Sequence, residues 1–251
     1  FMKRCLLSLL ADNNLPSFVK QIETEFVILT TSNSKKFFRK NSDFQVLEKL
    51  CRVKFIDIDD LICPMYGFVL TMAYGRGVID TGDKQVDTHF VFLNSDFILS
   101  NGSLDTLAKL ILGGETVVFA PSLRVSAQQF FARHSFPKNH KTISKHFDAR
   151  KLVDSALRTL HPTVLAKTVN RPGVYHRHPN QHYWKVNSDV LLGVHYLIFM
   201  MVIKPTRAMR NVKSFVDYSF VKQLNPDAQP HVMNDSDKFF MIETQDFDRE
   251  L

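Results

Sequence analysis

In the first half of the chain, short apolar runs alternate with segments in which apolar residues recur every three or four positions. The apolar runs predict buried β-strands over residues 25–31, 52–58, 89–93 and 115–120. The periodic segments predict helices over residues 2–10, from Ser34 onward, 44–50, 63–79 and 104–112. Strands alternating with helices are typical of an α/β fold whose mostly parallel sheet is flanked by helices. Ligands of such sheets bind beyond the carboxyl ends of the strands.

The pattern changes after about residue 121. Helices are predicted over 128–134 and 148–160. Polar loops are predicted over 137–145 and 170–181. A long apolar run over 190–203 and a final unit of 215–224 and 239–243 follow. No repeat or linker interrupts the sequence, so we expect one domain over residues 1–251 with an elaborated C-terminal half.

The composition excludes several classes of protein. Hydrophobic residues make up 45% and charged residues 23% of the 251 residues, which argues against a disordered chain, a collagen-like fibre or a disulfide scaffold. Cys5, Cys51 and Cys63 form no CxxC pair, so we expect free thiols in a reducing, cytoplasmic compartment. The most apolar stretch, 194–203, is shorter than the about 18 residues of a membrane span.

The formal net charge is +7. The basic residues are scattered, and the longest basic runs are Lys35-Lys36 and Arg39-Lys40. Because no basic stripe is interleaved with aromatic residues, we expect no nucleic-acid partner. The charge favours phosphate-bearing ligands and leaves open a peripheral association with the inner face of the membrane.

Polar residues follow the most hydrophobic predicted strand directly, as Asn94-Ser95-Asp96. A carboxylate at a strand end can bind Mg²⁺ or Mn²⁺, which take oxygen ligands and keep water or substrate phosphates in their other positions. The alternative is a strand that simply ends in turn-forming residues, since Asn, Ser and Asp all favour turns. The pattern alone leaves both interpretations open.

The Asn94-Ser95-Asp96 segment resembles the DxD region of GT-A-type glycosyltransferases. The resemblance to uncharacterised bacterial glycosyltransferase-like proteins extends to 6–10 with 14–16, 120–125, His161-Pro162, 183–186, 216–218 and Ser236-Asp237. It implies a GT-A-like (Rossmann-like) fold and a Mn²⁺ or Mg²⁺ ion held by Asp96 against the donor diphosphate. Asn94 stands where the family has its first acid, which contacts sugar or ribose. GT-A folds begin with a strand that helps bind the nucleotide base. Because the first predicted element of this chain is a helix, over residues 2–10, we expect the chain to lack that first strand.

Other residues could bind the donor. Ser122 and Arg124 follow the next strand, so both should face the same rim as Asp96. The fork of Arg124 suits a diphosphate or an acidic sugar, and a surface ion pair is the alternative. His161 could touch acceptor or phosphate, or could simply cap a helix. Lys204 or Arg207 would assist at the diphosphate.

Acidic residues near the C-terminal end are the candidates for catalysis. Asp217 has apolar neighbours, so we expect it to be partly buried and structurally fixed. Asp237 lies in a predicted turn with Asp235, and we expect it to be the adaptable member of the pair. The resemblance implies that a late carboxylate or histidine reaches the metal or acceptor, and His231 is the candidate metal ligand. Both acids should open onto the cleft that holds Asp96.

A second histidine-rich segment has a different interpretation. His176, His178 and His182 fit no zinc-binding spacing and predict a polar loop that faces an acceptor. Trp184 borders this loop, where it could stack on a sugar or pack in the core.

These residues predict a metal-dependent glycosyltransferase. It would transfer a sugar from a nucleotide-diphosphate donor to a glycan, lipid or protein acceptor. The alternative is a non-catalytic GT-A-like module that binds glycan or protein within a larger assembly.

Overall fold

The computed structural model describes residues 4–134, 143–169, 182–194 and 198–246. The helices in this part of the chain are α1 (Cys5–Leu9), α2 (Leu15–Gln21), α3 (Ser32–Phe38), α4 (Ser42–Leu50), α5 (Tyr66–Ile79), α6 (Ser103–Leu112), α7 (Ala127–Arg133), α8 (Ile143–His146), α9 (Ala149–Leu157), α10 (Pro162–Leu165) and α11 (Tyr218–Leu224). Two 3₁₀ turns occupy Asp59–Leu61 and Gly82–Asp87. The strands are β1 (Glu25–Thr30), β2 (Arg52–Asp57), β3 (Phe90–Val91), β4 (Phe97–Leu99), β5 (Val117–Pro121), β6 (Leu123–Ser126), β7 (His182–Lys185), β8 (Leu191–Val194), β9 (Ile198–Ile203), β10 (His231–Val232) and β11 (Met241–Gln245).

The strands form small sheets in which parallel and antiparallel pairs are mixed. Strands β1 and β2 pair in parallel. A four-stranded sheet has the order β10-β5-β9-β3, and β9 is antiparallel to both of its neighbours. A three-stranded sheet has the order β4-β11-β6, and β7 and β8 form an antiparallel pair. The fold is therefore mixed α/β with helices flanking the sheets, as predicted, but the expected mostly parallel sheet is replaced by small mixed sheets.

The second half of the chain supplies the strand that changes this topology. The apolar run predicted over 190–203 contains two strands, β8 and β9. Strand β9 lies between β5 and β3, and Met201, Val202 and Ile203 are fully buried. A strand with hydrogen-bonded neighbours on both edges and apolar cover is expected to be almost continuously hydrophobic, which explains the run.

Two hydrophobic clusters lie closest to the polar strand ends. In the first, α1 packs with α4 and α6 through Leu6, Leu9, Phe44, Leu47 and Leu107, all fully buried.

In the second, the ring of Phe92 contacts those of Tyr74 and Phe220, with centroids 4.9 and 6.1 Å apart. Such edge-to-face contacts add to the free energy gained by burying the rings. Both clusters rigidify the segment that carries Asn94 and Asp96.

Among the described residues, no helix is both long and apolar enough to cross a membrane.

Some predicted boundaries and caps differ from those in the structure. Helix α3 is capped by Thr31, whose hydroxyl accepts from the Ser34 amide, and α6 follows Gly102 at φ 100°. Ser34, where the sequence predicts a helix to begin, therefore lies inside α3, and Ser103 is the first residue of α6. Helix α2, which has Pro16 in its first turn, was not predicted.

The two predicted loops can be compared only in part. Within 137–145 the described residues begin at Ile143, where α8 starts, and the rest of that loop lies outside the described residues. The loop predicted over 170–181, with His176 and His178, lies wholly outside them.

Candidate functional site

The polar segment predicted at a strand end connects β3 to β4. The Phe97 amide donates to the Asn94 carbonyl at 3.3 Å and closes a turn. The buried Tyr74 hydroxyl donates to Asn94 Oδ1 at 2.6 Å, which fixes the amide side chain. Ser95, between them, is exposed. The segment therefore presents Asp96 on a turn supported by α5.

Asp96 is anchored through its main chain and has an unsatisfied carboxylate. The Thr244 amide and hydroxyl both donate to the Asp96 carbonyl at 3.1 Å, which ties the turn to β11. Asp96 Oδ1 is buried and has no hydrogen-bond partner among the described residues. Burial, and secondly the neighbouring Glu243 carboxylate, raise the pKa of Asp96 to about 6, while Arg124 acts in the opposite direction.

Glu243 joins the polar residues of two strands. It is paired with Arg124 in the parallel register of β11 and β6. Arg124 Nη2 lies 3.2 Å from Glu243 Oε1, and the Ser122 hydroxyl donates to Glu243 Oε2 at 3.4 Å. The side chains of Arg124 and Glu243 are 27% and 18% exposed, so the ion pair is partly shielded from water. Ser122, Arg124 and Asp96 therefore meet around Glu243, a residue that the sequence did not single out.

The groups beneath this cluster are neutral. Burial raises the pKa of the Cys5 thiol to about 12 and that of the Tyr74 hydroxyl well above its usual range. The Cys5 thiol donates to the Asn94 carbonyl over 3.7 Å. Cys5 is thus the buried free thiol that the sequence predicts, while Cys51 is half-buried and Cys63 exposed. Because both buried groups stay protonated, the charge of the site lies on Asp96, Glu243 and Arg124.

Exposed aromatic side chains border α5 and α11 nearby. Tyr66, Phe215 and Tyr218 are 67%, 59% and 45% exposed. The Val216 amide donates to the Thr71 hydroxyl at 3.1 Å, which ties the segment before α11 to α5. One turn further along α5 stands Tyr74, the partner of Asn94. These rings could stack on the apolar face of a sugar.

The structure corrects one expectation about Asp217. The carboxylate is exposed and not partly buried, because it caps α11 by accepting from the Ser219 amide at 2.7 Å. The apolar neighbours Val216 and Phe220 point elsewhere, and Phe220 alone is fully buried. As the cap of a helix, Asp217 is still structurally fixed.

Asp237 is not brought to Asp96. Asp237 precedes Met241, the first residue of β11. Thr244, near the other end of β11, is the residue that lies next to Asp96. Three strand residues span about 10 Å, so the two acids are at opposite ends of this sheet. Asp237 is exposed and pairs with Arg150 at 3.2 Å, on the surface of α9.

His231 also lies away from Asp96. Strand β10, which carries it, and β3, which leads to Asp96, are the two edges of the four-stranded sheet. Three strand spacings separate these edges by about 14 Å. The His231 ring contacts Glu115, with Nδ1 3.5 Å from Oε1. The structure therefore does not bring the two predicted metal ligands together.

Two further basic residues act as helix caps. The buried His161 ring caps α10 by accepting from the Thr163 amide at 3.3 Å, which confirms the cap interpretation. The main-chain amide of His161 donates to the Arg124 carbonyl, so this hydrogen bond helps to fix the main chain at Arg124. Arg207 donates to the carbonyls of Gln223 and Lys222 at the end of α11, away from the diphosphate position predicted for it.

The donor set at Asp96 allows a divalent cation only with help from a substrate. Among the described residues, no group of three or more His, Cys, Asp or Glu could hold a metal ion. Asp96 and Glu243 supply two carboxylates, and Glu243 already binds Arg124. Mg²⁺ is commonly held by one or two carboxylates together with substrate phosphates and water. Asp96 fits a site of this kind, in which substrate phosphates and water complete the coordination of the ion.

Comparison with protein-family models, curated proteins and solved structures found no match for this chain.

The sequence predicted Asp96 and Arg124 from their places after predicted strands, but it did not predict that Glu243, Thr244 and Tyr74 belong to the site. A weak signal existed for Glu243, because it ends a predicted apolar strand. Trp184 is 54% exposed, so it does not pack in the core.

Proposed function

We propose that the protein is a GT-A-type glycosyltransferase that takes a nucleotide-diphosphate sugar at Asp96. The observation that supports the proposal is the buried Oδ1 of Asp96, which has no hydrogen-bond partner among the described residues and lies on the turn before β4, near the ion-paired Arg124. A buried carboxylate oxygen without a partner is costly, so a ligand that pairs with it is favoured.

In this proposal Asp96 would hold a Mn²⁺ or Mg²⁺ ion together with the donor diphosphate, and such an ion would supply positive charge next to the diphosphate. Arg124 exchanges its contact with Glu243 for a bidentate contact with a phosphate. Ser122 donates to the same region, and Asn94 orients toward the sugar or ribose under the control of Tyr74.

The acceptor, a glycan, lipid or protein glycan, is placed by the aromatic rim of Tyr66, Phe215 and Tyr218. Asp217 is the carboxylate that stands at this rim, since it immediately precedes Tyr218. It is the candidate to accept the proton of the acceptor hydroxyl in an inverting transfer. Asp237 and His231 have no part in this arrangement.

A non-catalytic glycan-binding module is the second candidate. It is favoured by the Arg124–Glu243 ion pair, in which Arg124 already has a partner without a ligand. Such a module would use the same aromatic rim and would show no dependence on nucleotide or metal.

Thermal-shift measurements with nucleoside diphosphates, with and without Mn²⁺, test the proposal. A ligand at 100 times its Kd stabilises the folded state by about 2.7 kcal/mol, so the melting temperature should rise. Asp96→Asn should abolish the Mn²⁺-dependent part of this rise. The exposed Asp227→Asn is the matched control and should retain it. Equal shifts for Asp96→Asn and the wild type would refute the assignment, and glycan binding without any nucleotide response would favour the module.

A further inference from the structure

The most basic segment of the chain lies on and after α3. Lys35, Lys36, Arg39 and Lys40 fall within six positions, and no acidic residue occurs between Glu25 and Asp43. All four side chains are exposed. The helix and the turn after it therefore present four positive charges that no acidic residue of the same segment balances.

A buried phenylalanine fixes which side of α3 faces the solvent. The ring of Phe38 packs edge-on against Phe44 and Phe55, with centroids 5.3 and 5.4 Å apart. At 100° per residue, Lys36 lies opposite Phe38, and Lys40 follows in the turn after the helix. The neighbouring Phe37 is 69% exposed. The exposed phenyl ring leaves apolar area in water, and transfer of that area into an apolar phase would lower the free energy.

The charges of this surface are directed to solvent. In the part of the chain that the structure describes, none of the four cations forms a salt bridge, and Lys35 lies over the Phe55 ring at 5.1 Å. By contrast, Arg76, Arg124, Arg150 and Arg158 each have a carboxylate partner. We name Lys35, Lys36, Phe37, Arg39 and Lys40 the α3 surface.

We propose that the α3 surface docks on an anionic phospholipid bilayer. Lysine and arginine side chains near such a bilayer are attracted to its negative surface potential, and an aromatic ring among them enters the boundary between headgroups and acyl chains. The charge of the surface and the single exposed ring both match that partner. A single-stranded nucleic acid is matched less well, because its binders offer successive stacking rings along a groove. The proposal uses none of the residues around Asp96 and stands independently of the transferase.

Co-sedimentation with vesicles tests the proposal on the full chain. The probes are vesicles of phosphatidylcholine alone and vesicles that also contain phosphatidylserine. We expect binding only to the second kind, with a steep loss as salt is added. Each basic residue near the surface changes the partition coefficient about fivefold, so Lys36→Glu/Lys40→Glu should lower it at least about 25-fold. Phe37→Ser should lower it further at every salt concentration, because apolar burial is not screened.

The matched control is Lys151→Glu/Lys222→Glu, which makes the same change of net charge at two exposed helical lysines elsewhere. It should keep most of the binding. Circular dichroism checks that every variant is folded. Equal losses in the two double variants would show that only net charge matters and would overturn the proposal. Tighter binding to a single-stranded oligonucleotide than to the vesicles, lost in Lys36→Glu/Lys40→Glu, would assign the surface to nucleic acid instead.

Discussion

Arg124 and Glu243 occupy directly paired positions on two neighbouring parallel strands, and their side chains meet at 3.2 Å. The same Glu243 carboxylate helps to raise the pKa of Asp96. The ion pair therefore links a basic group that could bind phosphate to an acid that could bind a cation. A ligand that draws Arg124 away would leave Glu243 free to interact with whatever lies on Asp96.

Glu243→Gln removes the negative charge next to Asp96. We expect the pKa of Asp96 to fall from about 6, because a like charge no longer opposes its ionisation. The carboxyl carbon shift of Asp96, followed by NMR against pH, measures this directly. Glu115→Gln, beside His231 at the far edge of the sheet, is the control and should leave the titration of Asp96 unchanged. An unchanged Asp96 midpoint in Glu243→Gln would contradict the coupling.

The raised pKa of Asp96 predicts a specific loss of stability with pH. The Asp96 carboxyl has a pKa near 3.9 in the unfolded chain and about 6 in the folded protein, so the folded protein binds its proton more tightly. The free energy of unfolding therefore falls as the pH rises from about 4 to about 6. Asp96→Asn removes this loss and should raise the free energy of unfolding at neutral pH by up to about 3 kcal/mol. Urea unfolding at about pH 4 and about pH 7 measures it. No gain at neutral pH, or an equal gain at about pH 4, would contradict the prediction.

Tyr74→Phe deletes the hydroxyl that fixes Asn94. We expect a loss of about 1 kcal/mol in unfolding free energy, because the Asn94 oxygen loses its donor. Under the proposed function the variant should also bind nucleoside diphosphate more weakly. Tyr218→Phe, on the exposed rim, serves as the control and should change stability by less than about 0.5 kcal/mol. Matching losses in both variants would argue against a specific role for the Tyr74 contact.

Two glycines of α5 should respond in opposite directions to alanine. A Cβ at Gly75 would overlap Cγ2 of Val212, so Gly75→Ala should cost about 1–3 kcal/mol of stability. A Cβ at Gly67 would meet no atom within 4 Å, and Gly67→Ala should raise stability by up to about 1 kcal/mol. Thermal unfolding of the pair checks this. If Gly75→Ala is as stable as Gly67→Ala, the packing of α5 against residue 212 is wrong.

The sequence predicted the elements whose signal is local. Strands β1, β2 and β5 fall within two residues of their predicted ends, because each has a local apolar pattern, although only β5 is buried along most of its length. Strand β3 was predicted over five residues and has two, since its pairing depends on β9, more than a hundred residues later. No local pattern encodes such a partner.

The same limit applies to the site. Asp96 and Arg124 follow predicted strands, and that position, together with the DxD resemblance of Asp96 and the guanidinium fork of Arg124, made them candidates. Glu243 matters only through its register with Arg124, 119 residues away, which the sequence does not reveal. Asp237 and His231 have suitable chemistry, but strand order places His231 at another sheet edge, and Asp237 precedes β11 at the end of the sheet away from Asp96. Residue type was predictable, whereas proximity was not.

The central place of β11 determines when the site can form. Strands β4 and β6 are not paired with each other, and only β11 joins them. Thr244 and Asp96 are 148 positions apart, so this contact closes a very long loop and should form late in folding. During synthesis, Asp96 and Arg124 therefore emerge as separate, hydrated charges. They become one electrostatic unit only after residues 241–245 have left the ribosome.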